Sequence, residues 1–258
     1  MSGRWKAEVY ANNSKGQAVW AQELIDKIGI KGDETILDIG CGDGKITEYL
    51  STLTKGEVVG IDLSAEMIAY AKQAFFEPKF MQMDAQNMEF LNRFEIVFSN
   101  AALHWASDHE AVVKGIYKAL KNGGKAVLQM GGEGNAKEVF DMFFAILPRY
   151  KHYFEGFKAP YTFCSAEYYE KLLEKVGFES YTATLIPKDM VHEDVKAFRG
   201  WLESTWFPFI DRIPDTMQEK FIQECIENYL VSHPLDKQGR VHVAMVRLEI
   251  EAHKGEKR

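Results

Sequence analysis

Three carboxylates and a glycine loop, each acid set at the end of a short apolar run, are the residues best suited to chemistry in this chain of 258. Asp38 precedes Gly40-Cys41-Gly42-Asp43-Gly44, Asp62 follows Glu57-Val58-Val59-Gly60-Ile61, and Asp84 follows Lys79-Phe80-Met81-Gln82-Met83. The glycines allow a tight turn and a close approach of backbone to ligand. A dinucleotide loop would need another glycine where Lys45 stands, and a phosphate loop would need Ser or Thr where Ile46 stands. A carboxylate at Asp62 can accept both hydroxyls of a ribose, and Asp84 lies within reach of an adenine amino group. Asp38 adds negative charge where a ligand's ammonium would lie. Acids at three successive strand ends suit a nucleoside carrying a sulfonium and an ammonium but no phosphate.

The elements that must position these groups are legible as an alternation. Buried-strand runs at Thr35 to Ile39, Glu57 to Ile61, Lys79 to Met83, Phe94 to Phe98 and Lys125 to Gln129 are separated by helical spacing at Lys45 to Leu53, Ser64 to Phe75 and His109 to Leu120. Ser64 reads as an N-cap with Glu66 in the first turn, and Asn122-Gly123-Gly124 as a helix stop. Such alternation predicts an α/β fold, a doubly wound, mostly parallel sheet. Beyond Met130 the spacing predicts helices over Asn135 to Tyr150, Ser165 to Val176, Glu193 to Thr205 and Asp215 to Leu230, and strands over Phe178 to Pro187 and Arg240 to Ala252. The two late strands are expected to form an antiparallel edge, and the extra helices a cap.

Four stretches, in order, look like class I S-adenosylmethionine-dependent methyltransferase motifs: Ile36 to Gly44, Val59 to Met67, Met83-Asp84-Ala85, and Phe98-Ser99-Asn100-Ala101-Ala102-Leu103-His104-Trp105. The resemblance implies a Rossmann-like, seven-stranded sheet in a single domain of residues 1–258. Its parts would be an amino-terminal lid over 1–30, a cofactor-binding core over 31–131 and helical cap segments within 132–235. It further implies S-adenosylmethionine as cofactor and S-adenosylhomocysteine as product. The contacts would come from Asp38, Gly40, Cys41, Gly42, Asp62, Leu63, Met67, Asp84, Ala85, Asn100 and Ala101. Met67 would pack on the adenine or fill the core, and Cys41 reads as a small packing residue.

The stretch from Asn100 to His109, Val127 to Met130, and the segment from Trp201 through Tyr229 and Pro234-Leu235 to Ala252 resemble trans-aconitate methyltransferases, which methylate a carboxylate. His104 stands where that family shows Gln. A carboxylate is ionised at neutral pH and needs no general base, only desolvation and alignment with the methyl group. Trp105 and His104 are the candidate catalytic donors; Asn12, Asn13 or Gln17 could supply an amide, and Arg149 with His152 a second carboxylate site. Plainer readings stand beside these. Trp105 could be a buried aromatic, His104 a solvent-facing residue, Arg149 to His152 a solvated loop, and Trp201, Trp206, Phe207 and Phe209 cap core. The alternatives in function are an O- or N-methyltransferase using His104 or His109 as base, and a non-catalytic binding protein.

Bulk properties narrow the partners. A formal net charge of -7 argues against general affinity for nucleic acid or an anionic membrane surface. An acidic small molecule remains compatible, because a pocket can be locally positive. The 3 cysteines, Cys41, Cys164 and Cys225, show no metal-ligand spacing, so no metal site and no disulfide is expected. The absence of a long apolar run and the character of the amino terminus predict a cytoplasmic protein, a monomer or weak homodimer.

Overall fold

The computed structural model describes residues 15–256, with side chains from Trp20 onward. Asn12 and Asn13 lie outside the described residues, as does the side chain of Gln17 and the first part of the 1–30 lid.

Seven strands form one sheet in the order β3-β2-β1-β4-β5-β7-β6. They are β1 (Ile36–Ile39), β2 (Val58–Asp62), β3 (Lys79–Gln82), β4 (Phe94–Asn100), β5 (Leu120–Gly131), β6 (Ser180–His192) and β7 (Val241–His253). The first five pair in parallel, and β7 runs antiparallel to β5. Parallel strands are covered on both faces and so read as near-continuous apolar runs. On one face Ile36, Val58, Ile96, Phe98 and Val127 pack with Leu24, Ile25 and Ile28 of α1 (Lys15–Ile28). On the other, Leu37, Ile39, Leu128 and Met130 pack with Val112, Val113 and Ile116 of α4 (His109–Ala119) and with Tyr169 and Leu173 of α6 (Ala166–Val176). The chain reverses its order of strand addition between β1 and β4, and beyond such a switch point two carboxyl ends diverge to leave room for a ligand.

Local chemistry sets the helix starts. α2 (Lys45–Leu53) begins at Gly44, and α3 (Ala65–Ala74) is capped by Ser64, whose hydroxyl accepts from Met67 N–H at 3.3 Å. Asp108 caps α4 through Ala111 N–H at 2.9 Å, and Ser165 caps α6 through Tyr168 N–H at 3.2 Å.

Contacts divide the described chain into two compact units. The sheet unit comprises Gln17–Glu133, Tyr161–Ile186 and the chain from Arg247 on; the other comprises Gly134–Pro160 and Pro187–Val246. The latter holds α5 (Lys137–Ile146), a 3-10 segment (Leu147–Tyr153), α7 (Val195–Thr205), α8 (Phe207–Ile210) and α9 (Asp215–Ser232). Its core is aromatic: Phe143 stacks on Phe209 at 4.2 Å, Trp206 meets Phe140 edge-on at 5.0 Å, and Tyr150 meets Phe221 edge-on at 5.0 Å. Trp201, Trp206, Phe207 and Phe209 are all buried, in agreement with their reading as core.

Several boundaries differ from those expected. The helix expected to Tyr150 leaves α geometry after Ile146, because Pro148 has no N–H to give the carbonyl of Phe144, and a 3-10 segment carries the chain to Tyr153. β6 runs past Pro187 to His192, which the sheet tolerates because β6 is its edge strand. Helix α4 stops at Ala119, not at Asn122-Gly123-Gly124; those residues fall within β5, where Gly123 N–H donates to Lys254 O at 2.9 Å. Helices α1 and α8 were not expected. The signal for α1 lay in Trp20, Ala21, Leu24, Ile25 and Ile28, a helical stripe that is buried throughout.

Candidate functional site

The glycine loop leaves β1 in a conformation that glycine alone adopts readily. Gly40, Gly42 and Gly44 have φ of 75°, 53° and 85°. Gly40 is also tightly enclosed: a Cβ there would lie 2.1 Å from the Ala102 Cβ, beyond the end of β4. One at Gly44 would lie 2.8 Å from the Ala71 Cβ and 2.9 Å from the Phe80 ring. The N–H groups of Gly40 and Cys41 both donate to Ile61 O, at 2.7 and 3.0 Å, tying the loop to β2. Cys41 is buried with Ile68, Ala71 and Phe80, and burial beside Asp38 and Asp62 pushes its thiol well up from the usual range. That chemistry fits packing and not nucleophilic attack.

Asp62, at the end of β2, joins the loops that follow β1 and β2. Its Oδ2 accepts from Gly42 N–H at 3.0 Å and its Oδ1 from Ser64 N–H at 2.8 Å. Burial raises its pKa, partly offset by those two amides. Next to it Leu63 is 64% exposed, an apolar side chain at the mouth of the site, whereas Met67 is buried in α3. Asp38 lies inside β1, 2% exposed, and accepts from the Thr47 hydroxyl at 2.7 Å. Burial raises its pKa from 3.8 to about 7, and the Asp62 carboxylate adds to the rise.

Asp84 stands two residues past β3 and not at its end. It caps the 3-10 turn Ala85–Asn87 by accepting from Gln86 N–H at 2.9 Å. Gln86 in turn accepts from the Ser107 hydroxyl at 3.0 Å and Asp108 N–H at 2.8 Å, so the loops after β3 and β4 share one network. Asp84 and half-buried Ala85 therefore border the same side of the site as the turn following β4.

At the end of β4, Asn100 precedes Ala101, whose φ of 57° is a strained value for a residue with a Cβ. Ala101 N–H donates to Gln129 O at 2.8 Å. A 3-10 turn, Leu103–Trp105, follows. His104 does not face solvent: it is 8% exposed, and its Nδ1 accepts from Gly131 N–H at 3.4 Å. Burial lowers its pKa to about 3, with the positive charge of Arg247 and His109 acting in the same direction. Half-buried Trp105 meets Tyr161 edge-on at 4.6 Å and lies 5.8 Å from the His104 ring. His109, the other candidate base, points its Nδ1 at the Tyr169 hydroxyl, 2.6 Å away, and is also lowered by burial.

Asp38, the glycines, Asp62, Leu63, Asp84, Ala85, Asn100, Ala101, His104 and Trp105 thus gather in the sheet unit at the carboxyl ends of β1 to β4. Arg149 and His152 belong to the other unit, where Arg149 pairs with Glu224 at 3.2 Å and His152 lies 3.8 Å from the Tyr153 ring. Sequence reasoning missed Thr47, Gln86 and Arg247. Thr47 and Gln86 gave no signal of their own. Arg247 did, as a cation among the inward-facing positions of an alternating strand.

A methyltransferase-domain family model matches residues 37–128. Over 97% of its length the chain is 30% identical to an uncharacterized methyltransferase of Schizosaccharomyces pombe, covering 98% of that protein. It is 26% identical to the trans-aconitate 2-methyltransferase of Variovorax paradoxus, over 97% of this chain and 98% of that one. Among solved structures, phosphoethanolamine N-methyltransferase 2 of Haemonchus contortus, in complex with phosphomonomethylethanolamine and S-adenosylhomocysteine, superposes with a TM-score of 0.63 at 20% identity. That match covers 98% of this chain and 58% of the other.

Proposed function

Because the chain belongs to the class I S-adenosylmethionine-dependent methyltransferases, we propose that its acceptor is a small carboxylate, trans-aconitate-like, methylated by direct in-line transfer. When bound, S-adenosylmethionine supplies a sulfonium methyl open to nucleophilic attack. The acid-lined switch point fits that group. Each Asp62 oxygen takes one backbone amide and keeps acceptor capacity for a ribose hydroxyl, and exposed Leu63 offers an apolar contact beside it.

One observation carries the choice of acceptor: His104, next to Trp105, is held neutral by burial and turns its Nδ1 lone pair to the Gly131 N–H. Its remaining proton is then on Nε2, which is free to give a hydrogen bond to an acceptor's oxygen but not to take a proton. His109 is likewise lowered and turned to Tyr169, and burial holds the Tyr161 phenol well above its usual range. Among the described residues beside Trp105, burial leaves His104 a weak base, whereas a carboxylate arrives ionised and needs none. Neutral donors from Trp105 and His104 can orient that anion without quenching it. This disfavours the reading with a histidine base.

A screen of mono-, di- and tricarboxylic acids tests the proposal, with product mass and lability to base separating an ester from an ether or a methylamine. Turnover confined to amines or hydroxyls would overturn it. Trp105→Phe is expected to lower kcat on a carboxylate by about 30-fold, the worth of one hydrogen bond to a charged group. Cofactor affinity, read by calorimetry, should stay put.

Asp38 makes the cofactor's binding pH-dependent. Its folded pKa of about 7 lies above the ordinary 3.8, so its contribution to stability is full below about pH 4 and is lost as pH rises towards 7. A neighbouring ammonium favours the ionised form. Binding of S-adenosylmethionine below pH 7 should therefore release a proton and tighten about 10-fold between about pH 6 and about pH 8. Calorimetry in buffers of different ionisation enthalpy reads the proton. Asp38→Asn should abolish its release, and a pH-independent affinity in the wild type would contradict the assignment.

A further inference from the structure

The sheet unit carries a buried cation at its substrate end that the reaction itself does not use. Arg247, on β7, is 3% exposed and lies directly across from Gly131, at the carboxyl end of β5. Its Cζ sits 5.4 Å from the centroid of the Trp20 ring on α1. Its Nε lies 3.4 Å from the Gln129 Oε1. Gln129 is held in that orientation from its other end: its Nε2 donates to Glu249 at 2.9 Å, and the same Glu249 carboxylate takes Lys27 Nζ at 2.7 Å. Gln129 thus turns its carbonyl oxygen towards the guanidinium and its amide towards the acid.

The register places this fork at the acceptor side. Gly131, opposite Arg247, contributes no side chain and gives its N–H to His104, whose ring lies 5.8 Å from that of Trp105. The guanidinium is close enough for its charge to be felt at His104. Arginine presents planar paired N–H groups that match a carboxylate bidentately, and a partly dry site strengthens that match. Trp105 and His104 hold an anion with neutral donors, which suits the carboxylate that must stay nucleophilic. A full positive charge one strand further along suits a carboxylate that does not react.

We propose that Arg247 binds a second, non-reacting carboxylate of the acceptor and so makes the enzyme selective for di- and tricarboxylic acids over monocarboxylic ones. This rests on the carboxylate reading above. Arg247 is a binding residue in it and takes no part in bond making: the methyl–sulfur bond breaks and the new oxygen–methyl bond forms at the other carboxylate.

Binding, not turnover, tests it. The full chain saturated with S-adenosylhomocysteine is titrated calorimetrically with trans-aconitate and with crotonate, a monocarboxylate of similar unsaturation. The wild type should prefer trans-aconitate by about 30-fold or more, and Arg247→Gln should erase the preference while S-adenosylhomocysteine affinity shows the variant folded. Arg247→Lys, which keeps the charge but not the fork, should retain only part of it. A wild type without the preference, or an Arg247→Gln or Arg247→Lys protein that keeps it in full, would overturn the assignment; the lysine variant also decides should the glutamine variant not fold. If the wild type binds trans-aconitate preferentially yet methylates no carboxylate, the proposed reaction fails while the Arg247 site stands.

Discussion

Gly40→Ala is expected to cost the protein about 3 kcal/mol of stability and to remove measurable cofactor binding together. Two independent costs add at this position. With φ at 75° a Cβ meets the neighbouring carbonyl, worth about 1 kcal/mol or somewhat more. The added methyl would also overlap the Ala102 Cβ at 2.1 Å, and overpacking of a tight site costs about 1–3 kcal/mol. For a chain of this length the sum lowers Tm by roughly 10 °C. The loop cannot yield quietly, because Gly40 N–H is fixed to Ile61 O at 2.7 Å and Ala102 opens the turn that carries His104 and Trp105. Relief of the overlap must move either the cofactor loop or the acceptor loop. Gly29→Ala is the control: its φ of 66° carries similar backbone strain, but nothing lies within 4 Å of the new methyl. Differential scanning calorimetry of both variants separates strain from collision. Equal Tm losses would show that the approach of Gly40 to Ala102 contributes nothing.

The contrast between these two glycines also marks what the sequence could disclose. The glycine loop, the switch point and the acids are local features, and local chemistry announces them: β-branched runs, a serine before α3, an aspartate at or near the end of each of the first three strands. Helix α2 and the caps of α3 and α6 follow from such signals residue by residue. What stays hidden is set by partners distant in the chain. Nothing around His104 in sequence says that Gly131 and Arg247 will surround it, so its burial and lowered pKa appear only once β5 and β7 pair. The same holds for Asp38, whose neighbour Thr47 arrives with the next helix. The late boundaries moved for a related reason. Pro187 reads as a strand end until the strand proves to be the edge of the sheet, and Gly123 as a helix stop until Lys254 meets it.

Asp62→Ala should separate the two losses that Gly40→Ala combines: a collapse of affinity with a smaller loss of stability. Two charge-assisted hydrogen bonds to a ribose, each worth about 1.5–3 kcal/mol, disappear, so Kd for S-adenosylmethionine should rise by on the order of 100-fold or more. The fold loses acceptors for Gly42 N–H and Ser64 N–H, yet it also sheds a carboxylate whose burial opposed its ionisation. Since the folded pKa is raised, the ionised acid weakens the fold progressively as pH climbs above the ordinary carboxylate range. Removal of Asp62 should therefore cost less Tm at neutral pH than at acid pH, where the native group is protonated and that penalty is absent. Asp62→Asn keeps the volume but turns an NH2 towards one of the two amides, so it should recover little affinity. Calorimetric Kd and Tm for both variants at two pH values decide the matter. A Tm loss as large as that of Gly40→Ala, with affinity falling only in proportion, would make Asp62 a strut between the loops and leave the ribose to another residue.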